Sequence, residues 1–225
     1  MSVRRYVGLD LSTKTGFVAL DDQGNALRQK ELTGVGDVDP LRMVTLIDEI
    51  MDHIRPEDVI CIEGFGFASQ QAVQNGGIGW GVRMALCRRG IKYYEVAPMS
   101  LKRFCGASVK RKDANGKEMK PKAVVAAGVY EHWGYTHSSD NVIDGYVLAQ
   151  IAYALTVDPY ERAMNYKGYQ IEVVETILKP AADKKADKAE AKKKKKERAE
   201  AKAAGKPTVR KQRSNAREPD TAVLF

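Results

Sequence analysis

The feature that most constrains this chain is an acidic residue set between two short apolar runs. The first run leads into Asp10, and a polar turn separates it from the second run, which begins at Phe17. Each run is too short for a typical helix, so the segment predicts a β-hairpin that opens a buried sheet. A carboxylate at such a strand end is costly unless a cation or hydrogen-bond donors compensate it. Asp10 therefore either caps the turn through the N–H groups near Ser12 and Thr13 or has a functional role.

Charge is distributed unevenly along the 225 residues. The whole chain carries a net charge of +8, whereas the segment 179–225 alone, with 16 basic and 7 acidic residues, carries +9. The body that precedes it is therefore nearly neutral, at −1. From Pro180 the composition is dominated by Ala, Lys, Glu and Asp, which cannot bury enough apolar surface to fold independently. We predict a folded domain at 1–178 and a disordered basic tail at 179–225, parts of which form transient helix.

Cysteine usage and hydropathy indicate the compartment. Three cysteines, at positions 61, 87 and 105, are an odd number without metal-type spacing, which favours a reduced intracellular setting. The sequence begins without the pattern of a signal peptide. No apolar run reaches the roughly 18 residues that a membrane span requires. These features predict a soluble, cytoplasmic protein with no membrane partner.

The order of predicted elements gives the fold class. Apolar periodicity and turn residues predict strands and helices in the order strand, strand, strand, helix, strand, helix, strand, helices. This order is typical of an α/β fold with a mixed five-stranded sheet and helices on both faces. The main segments after the hairpin are a strand at 26–32, a helix at 41–54, a strand at 58–63, a helix that ends near Arg89, a strand at 91–96, helices that begin at Pro98 and near Pro121, and a long apolar helix at 142–156.

Four carboxylates form a pattern across these elements. Asp10 and Glu63 each end a buried strand, and Asp140 and Asp144 share one face of the last helix because four residues turn about 400°. Crowding like charges at the edge of a core is unfavourable, and a divalent cation relieves it. Oxygen ligands suit Mg²⁺ or Mn²⁺, and two such ions about 4 Å apart can promote phosphodiester cleavage. The alternative is that Asp140 is an N-cap and Glu63 a surface acid.

Three segments resemble the acidic motifs of RuvC-type Holliday junction resolvases, particularly their phage-encoded branch. They are Gly8-Leu9-Asp10-Leu11-Ser12, Cys61-Ile62-Glu63-Gly64 and the segment from Asp140 to Ala149, and the resemblance covers about residues 3–156. It implies an RNase H-like fold, a homodimer and Mg²⁺-dependent paired nicking of four-way DNA junctions. A phage-encoded member would act in the cytoplasm of a bacterial host.

The resemblance also implies roles for individual residues. The metal ligands, about two ions per site, would be Asp10, Glu63, Asp140 and Asp144. Two lysines near the scissile phosphate would be Lys102 and Lys122, with Lys120 as the alternative to Lys122. Candidate DNA contacts are Phe65, Phe67, Lys110, Arg111 and Lys120. The cellular members space the last two acids three apart, which places Asn141 where an acid is expected. Phe65 and Phe67 flank the position of an aromatic residue that enters the junction in those members, and burial in the core is their alternative role.

Two other functions compete with the nuclease. The first is a catalytically inactive RNase H-like module that binds DNA through its tail. The second is an actin-like or sugar-kinase ATP-binding fold, because Asp10-Leu11-Ser12-Thr13-Lys14-Thr15-Gly16 resembles its first phosphate loop. That fold has two duplicated halves, for which 178 residues leave no room.

Two further segments predict protein partners. The glycine-rich helix around Ile78, Trp80, Val82 and Met84 is a candidate dimer interface, with core packing as the alternative for Trp80. The apolar tip 220–225 follows some forty polar residues and loosely resembles motifs that dock to the bacterial sliding clamp.

Overall fold

The computed structural model describes residues 4–65 and 71–180, together with single residues and pairs between 182 and 200. The chain divides into two compact units, Met1–Leu178 and Lys179–Phe225. The first unit contains the sheet and its helices. In the second unit, the described residues from 182 to 200 have helical backbone, and Lys196 and Glu200 form an ion pair one turn apart, at 3.7 Å. The tip at 220–225 lies outside the described residues.

A single five-stranded sheet organises the first unit. Its strands are β1 (Tyr6–Asp10), β2 (Thr15–Leu20), β3 (Ala26–Leu32), β4 (Val59–Glu63) and β5 (Tyr93–Val96). They lie in the order β3-β2-β1-β4-β5, with β1–β2 and β2–β3 antiparallel and β1–β4 and β4–β5 parallel. The predicted mixed α/β fold is confirmed. Within the described part of the chain there is one such sheet, whereas the ATP-binding alternative needs two related halves.

The described residues of the first unit also form seven helices. They are α1 (Leu41–His53), α2 (Ala72–Arg88), α3 (Pro98–Phe104), α4 (Pro121–Trp133), α5 (Asp140–Thr156), α6 (Pro159–Asn165) and α7 (Gly168–Leu178). Proline occupies the start of α3, α4 and α6, where its missing N–H costs nothing. Helices α6 and α7 follow Thr156 and were not predicted from the sequence. No helix among the described residues is both long and apolar enough to span a membrane.

Strand alternation divides the hydrophobic core into two layers. In β1, Val7 and Leu9 face α1 and α2 and pack against residues such as Leu46 and Val82. On the other face, Tyr6 packs with α5 and the helices around it. Since side chains alternate along a strand, the even-numbered residues of β1 share the α5 face. Asp10 therefore points toward the α5 side of the sheet.

Two glycines let α5 lie directly on the sheet. A Cβ atom on Gly8 would lie 2.0 Å from the carbonyl oxygen of Gly145, and one on Gly16 would lie 1.8 Å from that of Asn141. Neither position could accept another residue without moving the helix. The close contact at Gly16 holds the first turn of α5 beside the start of β2, which is paired with the end of β1. The first turn of α5 therefore reaches the same sheet edge as Asp10.

Candidate active site

Parallel pairing brings the first two acids together. Leu9 of β1 pairs with Ile62 of β4, so the next residues, Asp10 and Glu63, end adjacent strands at the same edge. Alternation turns both side chains toward α5, because Cys61, two residues before Glu63, lies in the α5 core. The two carboxyl groups are in hydrogen-bond contact. The Ser12 N–H, one of the groups that Asp10 would cap in its alternative role, instead donates to Thr15 Oγ1 at 3.3 Å.

Burial makes this carboxyl pair hard to ionise. The pKa of Asp10 is raised well above its usual value, first by burial and then by the charge and hydrogen bond of Glu63. The pKa of Glu63 is also raised, mainly by burial, with a further contribution from the charge of Asp144. We infer that the pair shares a proton held by Asp10, since two adjacent buried carboxylates repel each other strongly.

Helix α5 contributes the remaining two acids from its first turns. Ser139 is the N-cap and accepts from the Val142 N–H at 3.5 Å, so the alternative role of Asp140 as N-cap is wrong. Asp140 is the first helical residue and is exposed, whereas Asp144 is partly buried. Burial, together with the charges of Asp10 and Asp140, raises the pKa of Asp144 to about 7. Asp144 is thus electrostatically part of the strand-end cluster.

Two lysines face the acids. The Lys122 Nζ lies 3.0 Å from Asp140 Oδ2, and this contact raises the pKa of the lysine. The charge of Lys102 of α3 partly offsets the rise that burial causes in the pKa values of Glu63 and Asp144. Lys120 is the residue before α4, two positions before its predicted alternative Lys122. The structure therefore brings Lys102 and Lys122 to the acids.

Two clefts open on either side of Glu63. One has a volume of about 200 Å³, and Glu63, Asp140, Asp144 and both lysines line it. The other, of about 340 Å³, contains Asp10 and Glu63 together with aromatic residues. A strand of nucleic acid that crossed this edge would meet carboxylates from β1, β4 and α5 and cations from α3 and α4. This is the arrangement expected for metal-assisted chemistry at a phosphate.

The donor set fits a hard divalent cation. All four candidate ligands are carboxylates, which Mg²⁺ and Mn²⁺ prefer. Among the described residues, no three acidic, histidine or cysteine side chains converge closely enough to enclose an ion. Asp140 is instead paired with Lys122, and the raised pKa values of Asp10 and Glu63 indicate that their charge is reduced by protonation.

The predicted DNA contacts occupy different places. Phe65 lines the larger cleft, with its ring centroid 5.4 Å from that of Trp80. Phe67 lies outside the described residues. Lys110 forms an ion pair with Glu118 at 2.7 Å. Arg111 forms an ion pair with Glu131 at 2.7 Å, so both basic residues pair with acids outside the candidate active site.

Sequence reasoning missed Arg83, which supports this site from α2. Its side chain is 3% exposed, yet it donates to the Glu63 carbonyl at 3.1 Å and to Glu95 Oε1 at 2.8 Å. Its guanidinium also lies 4.3 Å from the centre of the Phe65 ring. An arginine on a helix gives no sequence signal that separates this role from a solvated charge. Glu31 was also missed, although it accepts from Ser139 and Asn141 at the start of α5.

The glycine-rich helix differs from its predicted arrangement. Ile78 and Val82 of α2 belong to the core and cannot form an external interface, so this part of the prediction is wrong. Gly81 serves packing within the chain, since a Cβ there would lie 2.3 Å from Ile47 of α1. Trp80 is 59% exposed, so the alternative that places it in the core is also wrong.

Comparison with known proteins agrees with this architecture. A structure of Thermus thermophilus RuvC superposes with a TM-score of 0.51 at 17% sequence identity, covering 74% of this chain and 99% of that one. The fold is RuvC-like. A second RuvC structure from that organism, in complex with a Holliday junction substrate, gives a TM-score of 0.49 at the same identity and coverage. No protein-family model and no curated protein matches the sequence. At this identity the RuvC likeness describes the fold, and the chemistry depends on the residues themselves.

Proposed function

We propose that the protein is a divalent-metal-dependent endonuclease that cuts Holliday junctions, and other branched DNA, by paired phosphodiester hydrolysis. The observation that carries this proposal is the electrostatic coupling of Asp10, Glu63 and Asp144 at one edge of a RuvC-like sheet. Three buried or partly buried acids without full compensation are unfavourable for stability alone. Their cost is understandable if a cation and a phosphate occupy the site during function.

Each residue has a defined part in such chemistry. Asp10, Glu63, Asp140 and Asp144 would hold Mg²⁺ or Mn²⁺, as two ions in a complete site. When bound, the metal would activate water and stabilise the leaving oxygen. Lys102 and Lys122 line the smaller cleft beside these acids and would draw a scissile phosphate into it. Arg83 keeps the end of β4 in place through the Glu63 carbonyl.

A nuclease assay on a synthetic four-way junction tests the proposal. We expect Asp10→Asn and Glu63→Gln to lose Mg²⁺-dependent cleavage by at least about 10²-fold, while junction binding is retained because removing negative charge does not weaken attraction to phosphate. Asp48→Asn, on the exposed face of α1, is the matched control and should cut normally. A site variant with near-normal cleavage at saturating Mg²⁺ removes that residue from the site. Binding without cleavage by the wild-type protein, in Mg²⁺ and in Mn²⁺, would support the inactive DNA-binding module instead.

We also propose a homodimer, because paired cuts in a symmetric junction require two symmetric sites. With Ile78 and Val82 assigned to the core, the candidate surface is the exposed face of α2 formed by Val73, Trp80 and Met84. These residues lie seven and four positions apart, which places them along one side of a helix. Light scattering at micromolar concentration should give the mass of a dimer. A monomer that still cuts both strands together would contradict this proposal.

The basic tail is proposed to add affinity without specificity. Lysines that neutralise phosphates release counterions, so binding depends steeply on salt. Truncation after Leu178 should flatten the slope of log K against log salt on linear and branched DNA alike. Loss of junction discrimination alone would instead make the tail a reader of DNA structure.

We propose that the tip 220–225 docks to a bacterial sliding clamp, in keeping with action in the cytoplasm of a bacterial host. Such a tether would raise the local concentration of the nuclease on replicating DNA. A labelled peptide covering 216–225 can be titrated with the clamp by fluorescence anisotropy. Absence of binding at about 100 μM clamp, equivalent to roughly −5.5 kcal/mol, would end this proposal.

A further inference from the structure

A third cleft lies at the end of the sheet opposite the acids. It is bounded by the β2–β3 turn, the C-terminal half of α5 and parts of α4, α6 and α7, and its volume is about 580 Å³. Tyr6, at the beginning of β1, pairs with Leu20 at this end, whereas Asp10 pairs with Gly16 at the other. Four residue steps of about 3.3 Å separate the two ends by roughly 13 Å. The volume lies in the range typical of small-molecule sites.

The floor of this cleft contains a glutamine whose orientation is fixed. Gln150 is 5% exposed, and its Nε2 donates to the Gly24 carbonyl at 3.1 Å and to the Tyr146 hydroxyl oxygen at 2.8 Å. A carbonyl oxygen can only accept, so the amide nitrogen must face Gly24. Both hydrogens of the amide are thereby used. The Oε1 receives no hydrogen bond from the described part of the chain and is left as an acceptor.

Tyr146 provides a donor next to this acceptor. Its hydroxyl oxygen accepts from Gln150, which leaves the hydroxyl hydrogen to donate to another group. The ring is held by stacking on Tyr135, with centroids 3.8 Å apart and planes 3° apart. Burial raises the pKa of Tyr146, so the group remains a neutral donor at physiological pH. The cleft therefore presents a neighbouring donor and acceptor on rigid side chains.

The aromatic walls and the charged residues at the rim indicate which kind of molecule the cleft could bind. Trp133 and Tyr166 line the cleft and are supported from behind by Phe104, at centroid distances of 6.0 and 6.2 Å. Flat, apolar walls favour a planar ring. At the rim, Glu131 is paired with Arg111, and the charge of Lys167 is offset by that of Glu161. These lining residues therefore offer no excess positive charge to hold a phosphate group.

We propose that this cleft binds the base of an uncharged nucleoside. Every nucleobase carries an adjacent donor and acceptor on its Watson–Crick edge, which complements the Tyr146 hydroxyl and Gln150 Oε1. The ring would lie between the aromatic walls, and the sugar would extend toward the rim. This site is separate from the carboxylate cluster and does not depend on the nuclease proposal.

The two tryptophans of the chain offer a direct measurement. Trp80→Phe leaves Trp133, in the cleft wall, as the sole tryptophan. Excited at 295 nm to avoid nucleoside absorbance, its fluorescence should be quenched as each of the four deoxynucleosides is titrated to about 5 mM, a weak-affinity limit. At least one should saturate and should also raise the melting temperature of the wild-type protein. The 5′-monophosphate and a short single-stranded oligonucleotide should bind at least about tenfold more weakly than that nucleoside.

Substitutions then locate the site. In the same single-tryptophan background, Tyr146→Phe removes the donor without changing the ring and should weaken binding about tenfold, the effect of one lost hydrogen bond. Gln150→Met should do the same, and Tyr130→Phe, an exposed tyrosine outside the cleft, is the matched control. Binding of no deoxynucleoside, equal binding of a monosaccharide such as glucose, or binding unchanged by Tyr146→Phe would each overturn the proposal. Preferential binding of the oligonucleotide would show that the base is supplied by a DNA strand and would overturn the assignment to an uncharged nucleoside.

Discussion

Strands β1 and β4 have a pair of ionisable side chains at each end, Arg5–Asp58 and Asp10–Glu63. The two pairs differ in how far the surrounding groups compensate their charge. At the beginning of β1 and β4, the Arg5 guanidinium meets the Asp58 carboxylate in a bidentate contact at 2.7 and 3.0 Å. The Arg5 Nη2 also donates to the His53 carbonyl, and Asp58 accepts from the Arg55 N–H. At the far ends of these strands, Asp10 and Glu63 have each other as hydrogen-bond partners.

This difference separates a charge placed for structure from a charge placed for function. The Asp58 side chain is fully buried, but the opposite charge and several hydrogen bonds satisfy it. The Asp10 carboxyl group is nearly as buried and faces other carboxyl groups. Natural proteins tend to depart from full compensation at functional sites. The comparison predicts opposite effects on stability when the acids at the two ends are neutralised.

Neutralising the compensated end should have the largest effect. Asp58→Asn keeps the size of the side chain but leaves the Arg5 guanidinium buried without a counter-charge, which typically costs 3–5 kcal/mol, and we expect about 3 kcal/mol in the free energy of unfolding. Urea denaturation of the metal-free protein measures this loss. Asp39→Asn is the control, because it breaks the partly exposed pair with Arg42 and should cost less than about 1 kcal/mol. A loss of under about 1 kcal/mol for Asp58→Asn would show that the two ends do not differ as we argue.

Neutralising an acid of the uncompensated cluster should stabilise the protein, and Asp144, which belongs to this cluster electrostatically, is the acid to test. The pKa of Asp144 is about 7 in the folded state, against its usual 3.8, so the folded protein binds the proton more tightly. Stability from this group is complete below about pH 4 and is lost as the pH rises through 7. Asp144→Asn should therefore raise the free energy of unfolding at pH 8 in EDTA, by on the order of 2 kcal/mol.

The pH dependence is the internal control for Asp144→Asn. At pH 5 the wild-type carboxyl group is already mostly protonated in the folded state, so the advantage of the amide should shrink. Asp140→Asn is the matched variant on the same helix, where the exposed acid pairs with Lys122. It should be neutral or slightly destabilising at both pH values. An Asp144→Asn protein less stable than wild type at pH 8 would mean that this carboxylate is compensated in the folded protein.

Most of the fold could be predicted from local sequence patterns. The hairpin, the buried strand that ends in Glu63 and the apolar α5 each have strong periodicity, and their order predicts the mixed sheet. Helices α6 and α7 were not predicted, although Asp158-Pro159 is a helix-start signal in the sequence. In the structure, the Asp158 carboxylate accepts from the Tyr160 N–H at 2.8 Å. Sequence periodicity also could not show that the glycines of α2 pack against α1, because that contact is tertiary.

The candidate site likewise has residues that the sequence predicts and others that only the structure shows. Its acids could be found because a carboxylate that ends an apolar run is conspicuous in the sequence. Arg83 could not, since its role depends on contacts with the Glu63 carbonyl and the Phe65 ring, both distant in sequence. The charge state was also beyond sequence reasoning, because the raised pKa values of Asp10 and Asp144 depend on burial. Residue types predict which chemistry is available, and tertiary contacts determine how each group is charged and held.

The smallest expected effect is the stabilisation of the folded protein when the proposed metal ion binds the uncompensated acids. A cation that binds only the folded protein stabilises it by RT ln(1 + [L]/Kd), which is about 1.4 kcal/mol at ten times Kd. Protons compete for the same carboxylates, so Mg²⁺ should raise the melting temperature more at pH 8 than at pH 5. Asp10→Asn should abolish the increase, whereas Asp48→Asn, with the same change of charge on α1, should retain it at matched ionic strength. If Asp10→Asn retained the full increase, the stabilising ion would be bound elsewhere, and the uncompensated strand ends would need another explanation.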